Sequence, residues 1–147
     1  MKWTLILRLS LVGLALALGS VSFISPNIES LLWLAVFLYF AQALGSGTGT
    51  RLFLHGLLLG ILNSVWIVGV HTAFLTRYLA GHTREVSMLE MVRSARVLVD
   101  PRAIMAFTGI TGGVLEGIVI GVFAVVAGLT VNPKHIRFGT SQPRVEV

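Results

Sequence analysis

The sequence predicts an all-α fold: a polytopic transmembrane bundle of four helices, with a short interfacial amphipathic helix between the third and the fourth. Three observations carry this. The chain is 55 % hydrophobic with only 12 % charged residues and a mean hydropathy of +0.89, too apolar for a soluble domain of 147 residues. Its apolar residues gather into four runs long enough to approach or cross the roughly 30 Å of a bilayer's hydrocarbon. Between the last two runs lies a segment in which charges and apolar residues alternate with helical spacing.

Composition also excludes several chemistries. The chain has no cysteine, so disulfides, thiolate nucleophiles, iron–sulfur ligation and Cys-based zinc sites are ruled out. The net charge of +5 and the pI near 10.8 come from Lys and Arg residues that flank apolar runs, with no basic domain carrying interleaved aromatics. Nucleic acid is therefore not the expected partner, and anionic lipid headgroups are.

The first run, Trp3–Ile24, follows Lys2 and continues past the small residues Ala15-Leu16-Ala17, which would otherwise suggest a signal cleavage site. It is read as the first membrane helix. Ser25 and Pro26 then suit the cap and first position of a second helix, Asn27–Leu44. Its roughly 18 residues rise about 27 Å, barely a span, so it either crosses with little tilt or forms a re-entrant hairpin with the first helix. The glycine-rich stretch Gly45–Arg51 lacks the lysine of a phosphate-binding loop and reads as a linker. The third helix, Leu52–Leu79, brings Gly56, Gly60, Asn63, Ile67 and His71 within about 80° of one another, at 100° per residue. His55 falls off this stripe.

Residues Thr83–Val99 place Met88, Val92, Ala95 and Val99 on one face, with Arg84, Glu85, Glu90 and Arg93 largely elsewhere. A helix lying in the headgroup region fits that pattern, and so does a solvated connector packed on the bundle end. Asp100-Pro101 starts the fourth helix, which runs to about Leu129 before Asn132-Pro133 stops it. One transmembrane domain thus covers residues 1–130, followed by an extended basic tail over 131–147. With four spans, six positive residues (Lys2, Arg8, Arg51, Lys134, Arg137, Arg144) share one side and five (Arg77, Arg84, Arg93, Arg96, Arg102) the other. That count does not orient the chain, and Lys2 ahead of the first helix tips it toward termini inside.

The stretch Thr108–Val122 holds the strongest signals. Gly109, Gly113, Gly117 and Gly121 recur every four residues and, with Gly56 and Gly60, make two small-residue faces against which a helix can approach closely. Packing of the third helix on the fourth within the chain uses these faces, and so would contact with another copy or another subunit. Glu116 lies near the middle of the fourth helix, where a bare carboxylate costs about 3 kcal/mol on insertion scales. It is read as a proton- or cation-handling acid, or as a protonated group hydrogen-bonded across a helix interface. Asn63, also near mid-span, is its natural partner, and a Glu116–Asn63 contact is expected.

His55 and His71 are about 24 Å apart along one helix and cannot share a metal. Each, beside a small residue, has room to ligate haem or chlorophyll singly; headgroup, water or carbonyl hydrogen bonding is the alternative. No HExxH, GxSxG or paired-carboxylate spacing is present, and Ser64 has no evident base, so neither a catalytic set nor a metal site is expected.

LHGLLLGILNSVW, the Arg77-Tyr78-Leu79 end and ITGGVLEGIVIGVFA resemble small uncharacterised four-helix bacterial inner-membrane proteins. The resemblance spans about the last two thirds of the chain, implies a four-helix fold in a bacterial cytoplasmic membrane, and carries no activity. The expected function is that of a non-enzymatic scaffold or accessory subunit of a larger membrane complex, respiratory or photosynthetic, packing through the glycine faces. The alternative is a small transporter or channel in which Glu116 binds a proton or cation.

Overall fold

A computed structural model describes residues 1–47, 50–94 and 100–131. The described residues are helical, with turns between: α1 (Trp3–Ser20), α2 (Pro26–Gly47), α3 (Leu52–Ala73), α4 (Leu75–Gly81), α5 (Thr83–Ser94) and α6 (Pro101–Val131). Four of them, α1, α2, α3 and α6, are long and apolar enough to cross a membrane, which makes the chain an integral multi-pass membrane protein.

Several helix ends differ from the sequence expectation, each for a local reason. α1 stops at Ser20 instead of Ile24, because the amides of Ser22, Phe23 and Ile24 all turn back onto the Gly19 carbonyl. α2 gains three residues, Gly45 to Gly47, at the expected linker. Gly45 can stay helical because it lies against Ala127 and Gly128 of α6, and the terminal Gly47 carbonyl accepts from Lys2 Nζ at 2.6 Å. At 22 residues α2 rises about 33 Å, enough to span. Pro26 takes the first helical position, while Ser25 serves through its carbonyl, which accepts from Ile28 and Glu29.

The third predicted helix is two. The backbone breaks at Phe74 (φ −110°, ψ 30°), so α3 ends at Ala73 and α4 turns off over the bundle end. Neither Gly nor Pro marks the site; the departure is held by packing, since the turn inserts Tyr78 between His71 and His82. The following helix α5 is described to Ser94, and the remainder of its expected length, Ala95–Val99, lies outside the described residues, as do Thr48, Gly49 and the tail beyond Val131. For α6 the cap is as its sequence suggests: Asp100 Oδ1 accepts from the Arg102 amide at 3.0 Å with Pro101 at the first position. Its 31 residues rise about 46 Å, so it tilts or projects beyond the hydrocarbon.

α3 is the central helix. It lies along α6 for most of its length and against α1 on another side, while α2 packs chiefly on α6. One core cluster, with Ile6, Phe40, Leu44, Leu59, Ile120 and Ala124, joins α1, α2, α3 and α6; a second, Ala17, Val21, Val70 and Tyr78, closes the end near α4.

Candidate functional site

The glycines of α3 and α6 face one another. A Cβ on Gly56 would overlap the Gly121 backbone, one on Gly60 the Gly117 backbone, one on Gly113 the Ser64 side chain, and one on Gly109 the side chain of Val68. The pairs 56/121, 60/117, 64/113 and 68/109 step by four in opposite directions, the register of two antiparallel helices with their i±4 rows in contact. Both small-residue faces identified in the sequence are therefore occupied within the chain. At this closeness the backbones gain dispersion contacts and weak Cα–H···O bonds that side chains would prevent.

Asn63 sits beside this seam, fully buried near the middle of α3. Its Nδ2 donates to Glu116 Oε1 at 2.5 Å, and its Oδ1 presses on Gly13 of α1. One amide thus links α1, α3 and α6. Gly13 is what lets it fit: a Cβ there would fall on Oδ1. Asn63 Oδ1 is buried and accepts no hydrogen bond among the described residues, and Glu116 is only half-buried.

The histidines lie at opposite ends of α3. His55 Nδ1 lies 2.8 Å from the Arg51 carbonyl, which can only accept, so that nitrogen carries the proton. Its Nε2 accepts from the Lys2 amide at 3.1 Å. Both ring nitrogens are engaged, and axial ligation of a haem or chlorophyll would cost the Lys2 bond. The bond to Arg51 also holds a residue in the left-handed region (φ 56°), an arrangement that costs a side chain about 1 kcal/mol. His55 is thus buried at the α1–α3 junction rather than turned toward headgroups.

His71 marks the other end. The Ser20 hydroxyl lies 2.8 Å from its Nε2 and donates to the Ala17 carbonyl at 2.9 Å, so His71 is the donor between them. The His71 ring stacks on Tyr78 at 4.0 Å, and Tyr78 stacks on His82 at 3.9 Å. His82 Nδ1 is 2.8 Å from the Tyr78 carbonyl and so donates to it, while Nε2 is 2.9 Å from Glu29 Oε2. A proton must lie in that second contact, which makes the pair neutral overall whichever partner holds it. The other carboxylate oxygen of Glu29 accepts from Trp33 Nε1 at 3.3 Å. Burial, followed by the nearby Glu85 and Glu29 carboxylates, pushes the Tyr78 hydroxyl above its usual range.

The Ser20–His71–Tyr78–His82–Glu29 chain had no signal in the sequence. Glu29 and His82 are 53 positions apart, and Tyr78 reads as part of a continuous helix until the backbone breaks at Phe74. A pairing of an acid in the first turn of one span with a histidine after another could have been sought only with the helix ends known. Among the described residues no three His, Asp or Glu gather to hold a metal ion. No known family matches the chain, and neither a curated protein nor a solved structure is significantly similar to it.

Proposed function

We propose that this chain is a non-enzymatic integral membrane protein, a scaffold or accessory subunit of a larger assembly in a bacterial cytoplasmic membrane. One observation carries the proposal: the polar side chains of the spans are dispersed along the bundle as ties between helices. Lys2 meets His55, Trp66 Nε1 meets Ser10 Oγ at 3.3 Å, Asn63 meets Glu116 and Ser20 meets His71. Catalysis requires nucleophile, base and electrophilic donors converging on one reacting atom. Separate ties along an interface serve rigidity instead.

The outer surface supports the second half of the reading. No span has more than 39 % of its apolar window buried, so wide faces such as that of Phe107, Ile110 and Leu115 on α6 are left for lipid or for other subunits. With Gly56, Gly60, Gly117 and Gly121 turned on one another, neighbouring chains would meet these large apolar faces rather than the glycines. Extraction in a mild neutral detergent tests the reading. Other chains or a pigment should co-purify, and Glu116→Gln should leave that complex intact; a lone monomer with no associated component would overturn it.

A second reading, a small transporter or channel, is favoured by one feature. Glu116 is a carboxyl near mid-span and only half-buried, with Asn63 Nδ2 donating to one of its oxygens, a placement suited to an acid that takes up and releases a proton or small cation. Under this reading Glu116→Gln abolishes flux in proteoliposomes while the protein stays folded.

A further inference from the structure

We propose that the cavity lined by α2, α3, α4, α5 and α6 binds an amphipathic organic cation, a tertiary or quaternary ammonium carried on an apolar body. The cavity measures about 320 Å³, at the small end of ligand pockets. Its lining combines three kinds of group: the carboxylates of Glu29 and Glu85, the rings of Trp33 and Tyr78, and apolar side chains that include Met88 and Met105. Among the described residues, no Lys or Arg lines it.

Charge decides the ligand class. Glu29 is paired with His82, and that pair is neutral overall, so it asks for no counter-ion. Glu85, half-buried on the first turn of α5, makes no hydrogen bond or ion pair among the described residues; Arg84 beside it is exposed and lines the adjoining cavity, so Glu85 is the acid this cavity offers a cation. An anion or a strongly hydrated metal ion does not suit a wall that is mostly apolar. A single positive charge on a carbon framework meets Glu85 electrostatically and the face of Trp33 by cation–π attraction, while its body takes the apolar surface and the edge of Tyr78, whose faces are covered by His71 and His82. Two features prepare the site. The bond from Trp33 Nε1 to Glu29 fixes one ring, and the stacks on His71 and His82 fix the other, so little side-chain entropy is lost on binding. The methionines give the remaining wall an adaptable shape.

The cavity depends on the break at Phe74. Had α3 continued to Leu79, Tyr78 would not lie across His71, and α5 would not carry Glu85 over the end of the span. The site is thus independent of whether the chain serves as a subunit or as a transporter.

The test uses the full-length protein in a neutral maltoside detergent, with (4-phenylbutyl)trimethylammonium as the probe and its uncharged analogue, in which carbon replaces the nitrogen, as the control for shape. Calorimetry should give saturable binding of one probe per chain, with the uncharged analogue about tenfold weaker or more. Glu85→Gln should weaken the probe by about tenfold and Trp33→Leu several-fold. Glu90→Gln, on the same helix but outside the lining, should leave binding unchanged. Among the described residues Glu85 makes no hydrogen bond or ion pair that its amide would break, so equal melting of the variant and the parent checks that the fold is intact. Absence of saturation, equal binding of the charged and uncharged probes, or an unaffected Glu85→Gln variant would each overturn the proposal. The charged-against-uncharged comparison needs no variant at all.

Discussion

Along α6, α3 offers backbone; along α1, it offers side chains. On the α6 side Gly56 and Gly60 lie against Gly121 and Gly117, and at these two levels nothing larger than hydrogen fits between the helices. On the α1 side the two parallel helices are tied by hydrogen bonds at three levels, Lys2 to His55, Ser10 to Trp66 and Ser20 to His71, with the Asn63 side chain packed on Gly13 between them. The difference teaches how each seam is specified. A glycine seam draws on dispersion and weak Cα–H···O bonds summed over its length, and any added atom breaks it. A tied seam depends on a few donors and acceptors whose loss leaves a buried partner unsatisfied, and its neighbours absorb the change.

Four substitutions separate the two. The largest expected effect is that of Gly117→Leu, whose Cβ would strike the Leu57 backbone; we expect a loss of about 3 kcal/mol or outright failure of the bundle, seen as collapse of the melting transition in detergent. Asn63→Leu removes the link among α1, α3 and α6 and leaves Glu116 without its donor. About 2 kcal/mol should be lost, and the paired variant Asn63→Leu/Glu116→Leu should recover part of it, which a double-mutant cycle would measure. Ser20→Ala deletes a single tie and should cost about 1 kcal/mol, with α1 loosening near its end as read by amide exchange of Ala17 to Ser20. Smallest, and opposite in sign, is Gly112→Ala. Gly112 is next to the seam in sequence but has nothing within reach of an added Cβ, so the substitution should stabilise α6 by about 0.5 kcal/mol through helix propensity alone. If Gly112→Ala were as harmful as Gly117→Leu, the distinction between the seams would fall.

The two ends of the bundle repeat the contrast on a larger scale. At one, His55 locks the start of α3 to Lys2 and Arg51 with both ring nitrogens in use. At the other, His71, Tyr78 and His82 stack face to face beside a cavity, and Glu85 makes no hydrogen bond or ion pair among the described residues. At the first end the histidine ties two helices together. At the second the histidines hold Tyr78 beside the cavity proposed above to take a cation.

Much of this was legible in the residues because membrane helices obey simple constraints. A run of apolar residues near 20 long must become a span, since backbone groups in lipid have to be bonded within the segment, and that locates α1, α2, α3 and α6. Four-residue glycine spacing on α6 and Gly56/Gly60 on α3 fixes which faces can come close, because periodicity alone sets where side chains are missing. The two polar residues near mid-span, Asn63 and Glu116, are few enough that each is the other's obvious partner.

Helix ends and the polar chain beyond them were decided by tertiary structure. No local signal distinguishes Phe74 from its neighbours; the helix breaks there because turning α4 across the bundle end places Tyr78 between two imidazoles and under Val70 and Ala17, contacts that exist only once α1 and α3 are packed. Gly45 to Gly47 read as linker, yet they stay helical because Gly45 meets α6 and Lys2 takes the last carbonyl. The pairing of Glu29 with His82 likewise joins α2 to the residue between α4 and α5, which nothing in the sequence relates. Spans and faces are one-dimensional properties, fixed by hydropathy and period, whereas breaks, stacks and cavities depend on which helix lies next to which.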